Sequence, residues 1–439
     1  MRHLRLLWDA LRSSLWFVPS LFVLGAILLA QGMIELDHLL PIERFEEALP
    51  RLFAVGPSGA RSLLATIAGS MISVAGVAFS ITIVALTLAS SQYTSRILRN
   101  FMRDRANQAV LGAFVGIFVY CLWVLRTISE GDDYSFVPIF AILAAVLLAL
   151  VGIACLIFFI HHIAQAIQAE HIILAATSET LAAVDRLFPE RVAQPAEAVR
   201  PPLPADDTTW RSIAAPKTGY LQSVDGDGLV KHASDRGCVV RMECPVGHFI
   251  VEGSPLVSLG NAAEPDDETR KTINGYFVIG GQRTIVQDAS YGIRQIVDMA
   301  IKALSPGIND TTTAVSCTEH LTAIMAKIAG RKMPSKYRAE NGQVRFIAIR
   351  PDFETLLGNA FDQIRQNAGG NVATLRALVE GLAVVADRTD EPDRISAIRR
   401  QLDLFARKAE ATIEQLEDRR DIDAAVEALR RRLAISADP

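Results

Sequence analysis

The polar stretch from Gly280 to Ala314 holds the side chains best placed for chemistry: Arg283, Asp288, Asn309 and Asp310. A helix N-terminus beside a guanidinium favours an anion, whereas carboxylates and amides together recruit a cation. If the four converge they form a ligand or ion site, with the sign of the ligand open. The local alternative is capping, because Asn309 and Asp310 ahead of Thr311-Thr312-Thr313 can satisfy the orphan N–H groups of a helix start. His161 and His162 are adjacent, and neighbouring helical residues point about 100° apart, so the pair cannot grip one metal. A packed or interfacial role is expected for them, with pH sensing as the lesser alternative. No Ser-His-Asp order, phosphate loop, HExxH or dinucleotide glycine turn occurs at usable spacing. The chain is therefore not expected to be an enzyme, and neither a cofactor nor a metal is expected.

A second pattern belongs to one long apolar helix. Ser62, Thr66, Gly69, Ser73, Gly76, Ser80, Thr87, Ser91 and Thr94 fall in one narrow sector at the helical step, while Leu63, Leu64, Ile67, Met71, Val74 and Phe79 fall elsewhere. Acyl chains give no reward for facing hydroxyls, so the stripe is expected to line a passage or to pack against another helix. Phe79 and Leu86 are the natural constrictions of such a passage. Beyond it, Arg96, Arg99, Arg103 and Arg105 stand among Tyr93, Ile97, Leu98 and Phe101. That amphipathic pattern suits the inner membrane surface, or a ring of arginines at a pore mouth.

These residues need a membrane to position them. Half of the 439 residues are hydrophobic, and residues 15–34, 62–91, 108–128 and 137–160 each supply the roughly 20 apolar positions that cross a hydrocarbon core. Arg2, Arg5 and Arg12 precede the first span and the four arginines follow the second, whereas Glu35, Asp37, Glu43, Glu46 and Glu47, then Glu130, Asp132 and Asp133, occupy the other loops. The positive-inside rule puts both termini in the cytoplasm. The first span reads as an anchor and not as a cleaved signal peptide. No acid, lysine or histidine lies at mid-depth, which disfavours a coupled transporter or proton pump. Cys121 and Cys155 fall in spans and Cys238, Cys244 and Cys317 beyond them, with no CxxC pair. The net charge of −4 gives no reason to invoke nucleic acid.

Ile160, Ile163, Ile167, Leu174, Leu181, Val184 and Phe188 recur near heptad spacing, which extends the fourth span as a helix to Pro189 and closes a transmembrane domain at residues 1–188. That extension can associate across subunits or pack on the chain's own soluble part. Residues 189–218 form a Pro-rich linker, and 219–262 alternate like short strands. The run Val246-Gly247 to Pro255-Leu256 looks like half of a barrel-sandwich module, yet Cys238 to Gly260 holds no lysine for a carrier's swinging arm. Residues 263–439 read as mainly helical, with strands at Tyr276–Ile279 and Val344–Ile349 and helices near 353–367, 371–387 and 392–434, the last broken near Asp421. The fold class is thus four transmembrane helices plus a cytoplasmic α+β domain with a small β module and a helical C-terminal part.

Phe79 to Gln92, Arg99-Asn100-Phe101-Met102-Arg103-Asp104-Arg105, His161-His162, the Val246–Leu256 hairpin, Arg283-Thr284 and Ala303 to Asp310 together resemble the domain-of-unknown-function 2254 family of predicted bacterial membrane proteins. Thr311 stands where that family's run has proline, a residue suited to the first helical position. The resemblance implies a bacterial inner-membrane location and this architecture, and no activity. The leading expectation is a homo-oligomer in the lipid bilayer whose second span borders a central passage for a small ion, with a cytoplasmic domain that gates it or senses a ligand. The alternative is a non-conducting anchored sensor or scaffold, in which the stripe is the packing face of a four-helix bundle.

Overall fold

The computed structural model describes residues 16–39, 56–92, 104–130, 135–166, 168–190 and 209–435. Two compact units divide the chain, residues 1–171 and 172–439.

The first unit contains α1 (Phe17–Leu39), α2 (Pro57–Gln92), α3 (Arg105–Leu125), a short antiparallel hairpin of β1 (Ser129–Glu130) and β2 (Ser135–Phe136), and α4 (Ile139–Ala166). All four helices are long and apolar enough to cross a membrane. Helix α3 is the centre of the bundle, with Phe114, Tyr120, Cys121 and Val124 fully buried. Small residues set its distance from α1: a Cβ at Gly112 would stand 2.8 Å from the Phe22 ring, and one at Gly116 3.3 Å from the Phe22 carbonyl. Further along, Trp123 Nε1 donates to Gln31 Oε1 at 3.3 Å. The contacts advance together along both helices, so α1 and α3 run parallel. Helices α2 and α4 run the other way, since Arg61 donates to the Ile128 carbonyl while Met71 and Ile117 meet at Gly152. Helix α2 buries Leu64, Met71, Ala78 and Ala85 at seven-residue intervals, flanked by Ala60, Ile67, Ala68, Ala75 and Thr82. That seam is the knobs-into-holes repeat of shallow helix crossings.

Asp37 is the one acid the bundle buries among its described residues, at 4% exposure. Its carboxylate accepts from Phe140 N at 2.8 Å and Ala141 N at 3.1 Å, so the last turn of α1 caps the start of α4. Orphan N–H groups at a helix start make an anion favourable there.

In the second unit, α5 (Ala169–Leu187) precedes β3 (Trp210–Ala214), β4 (Gly219–Val224), α6 (Gly226–Asp235), β5 (Val239–Met242), β6 (Phe249–Ile250), β7 (Pro255–Gly260), α7 (Asp267–Asn274) and β8 (Phe277–Gly280). Helices α8 (Ala289–Ala303) and α9 (Thr311–Ala329) follow, then β9 (Tyr337–Glu340), β10 (Gln343–Ile347), α10 (Phe353–Asn367), α11 (Val372–Ala386), α12 (Pro392–Thr412) and α13 (Leu416–Ile435). The strands form a five-stranded sheet, ordered β3-β7-β5-β10-β9, and a three-stranded one, β6-β4-β8. Within the larger sheet only the β5–β10 pair is parallel. Strand β3 comes from the stretch read as linker, and β10 from a hundred residues downstream of its neighbour β5. The β structure is therefore wider than residues 219–262, because alternation marks a strand without naming its partner.

Two further expectations change, and one of two open alternatives for the helical extension is met within the chain. Helices α4 and α5 are separate elements, with residue 167 outside the described residues. Helix α5 buries Ile173, Ala176, Thr177, Thr180, Ala183 and Val184 within the second unit, whereas Leu174 of the heptad reading is exposed; Asp185 binds Lys327 at 2.7 Å and Arg331 at 2.5 Å, and Thr180 seats against Gly292. The last helical stretch breaks at residues 413–415 and not near Asp421: Ile413 turns to extended backbone with its side chain buried, and Thr412 Oγ1 donates to the Gly369 carbonyl.

Candidate functional site

Along α2 the stripe residues Ser62, Thr66, Gly69, Ser73, Gly76, Ser80 and Thr87 are all exposed within the chain. A Cβ at Gly69 or Gly76 would meet nothing within 4 Å. Among the described residues no neighbouring helix covers this face. Its hydroxyls nonetheless have partners, since Thr66, Ser73, Ser80 and Thr87 each donate to the carbonyl four residues earlier. The result is a smooth, shallow ridge whose polar groups are closed on their own helix. Phe79 projects beside it at 53% exposure and Leu86 is half-buried. Arg105 is exposed at the first turn of α3. Arg96, Arg99, Arg103, Thr94 and the side chain of Ser91 lie outside the described residues.

In the second unit Arg283 and Asp288 do come together. Arg283 donates from Nε at 3.1 Å and from Nη2 at 2.7 Å to Asp288 Oδ2, while Oδ1 caps α8 by accepting from Tyr291 N at 3.1 Å. The Arg283 guanidinium lies 5.0 Å from the Tyr291 ring centroid. Gly247, at φ +92°, closes over the pair, and any side chain there would fall on Asp288 Oδ2. Burial pushes the Asp288 carboxyl above the usual carboxylate range, while the Arg283 charge and His248 pull it down. Its two oxygens are committed to a side chain and a backbone N–H, which leaves a lock between the β5–β6 turn and α8.

Asn309 and Asp310 stand elsewhere. Asp288 caps the first turn of α8, whereas both follow its last turn, so a helix of 15 residues, about 22 Å long, separates the two pairs. Asp310 Oδ1 accepts from Thr313 N at 3.0 Å and caps α9, and Asn309 takes the left-handed conformation that asparagine tolerates. The structure thus brings together two of the four residues and uses the other two as a helix start. Asn371 completes that start: it caps α11 through Thr374 N and donates its Nδ2 to Thr311 Oγ1 at 2.6 Å.

The comparisons agree with this architecture. A family model described as a predicted membrane protein, DUF2254, matches residues 12–384. The chain belongs to that family. An uncharacterized protein of Mycobacterium tuberculosis (strain CDC 1551 / Oshkosh) is 33% identical over 417 residues, covering 94% of this chain and 79% of its own length. Uncharacterized proteins of Mycobacterium bovis and of a second Mycobacterium tuberculosis strain, H37Rv, show the same identity and coverage. No solved structure matches.

In this DUF2254 protein the Thr311 hydroxyl is the acceptor for Asn371, work that a proline could not do. Sequence reasoning also missed Asp104. It caps α3 through Ala106 N at 2.9 Å and holds His162 Nε2 at 2.5 Å, with Phe158 stacked on the imidazole. Asp104 directly precedes a polar start, Arg105-Ala106-Asn107-Gln108, ahead of an apolar run. That N-cap pattern was the available signal. His161, one step round the helix, is exposed.

Proposed function

We propose that this is a non-enzymatic, homo-oligomeric protein of the bacterial inner membrane, with cytoplasmic termini, in which the stripe of α2 faces other copies around a channel-like passage and the soluble unit gates it or senses a ligand. The observation that carries the reading is the bare ridge of Ser62, Thr66, Gly69, Ser73, Gly76 and Ser80. Small residues let helix backbones approach closely in lipid, where a hydrophobic driving force between helices is missing. The split of basic and acidic loops supports the orientation.

A second reading rests on a specific observation, the closure of the Thr66, Ser73, Ser80 and Thr87 hydroxyls on their own helix. Groups already satisfied need no water, so the same face also suits a dry seam in a non-conducting scaffold. Ion flux into liposomes separates the two. The channel predicts a flux that Ser80→Leu reduces; no flux under any pH, voltage or membrane tension leaves the scaffold.

A further inference from the structure

Residues 331–350 carry six lysines and arginines against one acid, Glu340. Most of this charge sits on or beside the β9–β10 hairpin, whose Asn341-Gly342 turn takes positive φ at both residues. Such turns match the twist of the paired strands. Phe346 pairs with Arg338, Ile347 with Tyr337, and Ala348 N donates to the Lys336 carbonyl, so the ladder runs on to the open end of the hairpin. Two residues further lies Arg350.

The other three arginines here are matched. Arg331 binds Asp185, Arg345 donates to the Cys238 carbonyl and to Gln343, and Arg338 reaches Asp227 at 2.6 Å, across the space that a side chain at Gly226 would fill. Arg350 is the exception. It is half-buried, its Nε is fully buried with no acceptor, and among the described residues no carboxylate pairs with it. Burial and the neighbouring Arg338 charge both push its proton affinity down. Asp352, two residues on, spends its carboxylate on Thr355. An arginine desolvated beside another arginine, with no acid, is disfavoured unless something anionic joins it. Asp227, almost fully exposed, neutralises little, because surface pairs are weak.

We propose that Arg350 and Arg338, at the open end of the β9–β10 hairpin, form a binding site for a phosphate-bearing anion. Two guanidinium forks suit a phosphate, which offers several acceptor oxygens and more than one negative charge. Lys336, exposed one residue before β9, adds long-range attraction. The phosphate can belong to a soluble molecule or to a lipid headgroup.

The test uses the full chain in nanodiscs. In phosphatidylcholine discs, titration with inorganic pyrophosphate should show saturable binding that Arg350→Met weakens roughly tenfold or more. Arg350→Lys should weaken it less, because the charge stays while the fork is lost. Should pyrophosphate fail to bind but discs containing phosphatidylglycerol raise the melting temperature of wild type and not of Arg350→Met, the source is a headgroup and the site stands. Without phosphate of either kind, Arg350→Met should melt at or above the wild-type temperature, since it keeps the apolar stem and removes an unmatched charge. A lower melting temperature there would make Arg350 structural and overturn the site. So would binding that the substitutions leave unchanged, or no response to either probe.

Discussion

Gly247 and Asp288 show how little freedom the second unit leaves at single positions. Asp288→Ala removes a helix cap and strands Arg283 in a largely buried place, which should cost roughly 3 kcal/mol in denaturation of the full chain. A loss of only a few tenths would mean that the lock carries no stability. Gly247→Ala combines positive φ with a collision on Asp288 and should destabilise by more than about 1 kcal/mol. The exposed caps Asp310 and Asp352 respond to acid. Their threonine partners at Thr313 and Thr355 hold both carboxyls below the ordinary value of 3.8. A carboxyl with a depressed folded pKa contributes fully above its unfolded value and loses that contribution as pH falls through the folded one. Melting temperature should therefore drop as pH is lowered below about 4, with a shallower drop in Asp310→Asn. An equal drop in that variant would exclude Asp310 from the effect. Asp288, raised by burial, runs the other way, its cost appearing as pH rises above the ordinary carboxylate value.

Helix packing accounts for what was and was not legible. Apolar runs located every span to within a few residues at most ends, and Asp310 ahead of three threonines announced the start of α9. The separation of Asp288 from Asp310 was not legible, because both cap helix starts and only the length of α8 sets them apart. Asp37 read as a loop acid beside a span; its capping of α4 depends on a contact with a helix a hundred residues away. Asp37→Ala should destabilise the bundle by about 1–2 kcal/mol in the folded chain, with Asp37→Asn recovering part of it. No change in melting would remove the cap from the account. Glycine sorting was equally hidden, since Gly69, Gly76, Gly112 and Gly116 look alike in a sequence. Gly112→Leu should lower the melting temperature through collision with Phe22 and Pro19. Gly76→Leu should leave it unchanged in a single chain, and a matching loss at both positions would contradict the assignment of their faces.

At the scale of the whole molecule, α2 divides its surface in two. One side, the seam of Leu64, Met71, Ala78 and Ala85, belongs to the chain's own bundle. The other, small and self-satisfied, is free to meet another copy, and the proposed assembly rests on that division. Cysteine cross-linking in the native membrane, with Ser73→Cys and Ser80→Cys each placed in an otherwise cysteine-free chain, tests it most directly. The account predicts covalent dimers at both positions that Gly76→Leu abolishes. Chains that stay monomeric at both, while the same cysteines react freely with a small thiol reagent, would contradict it.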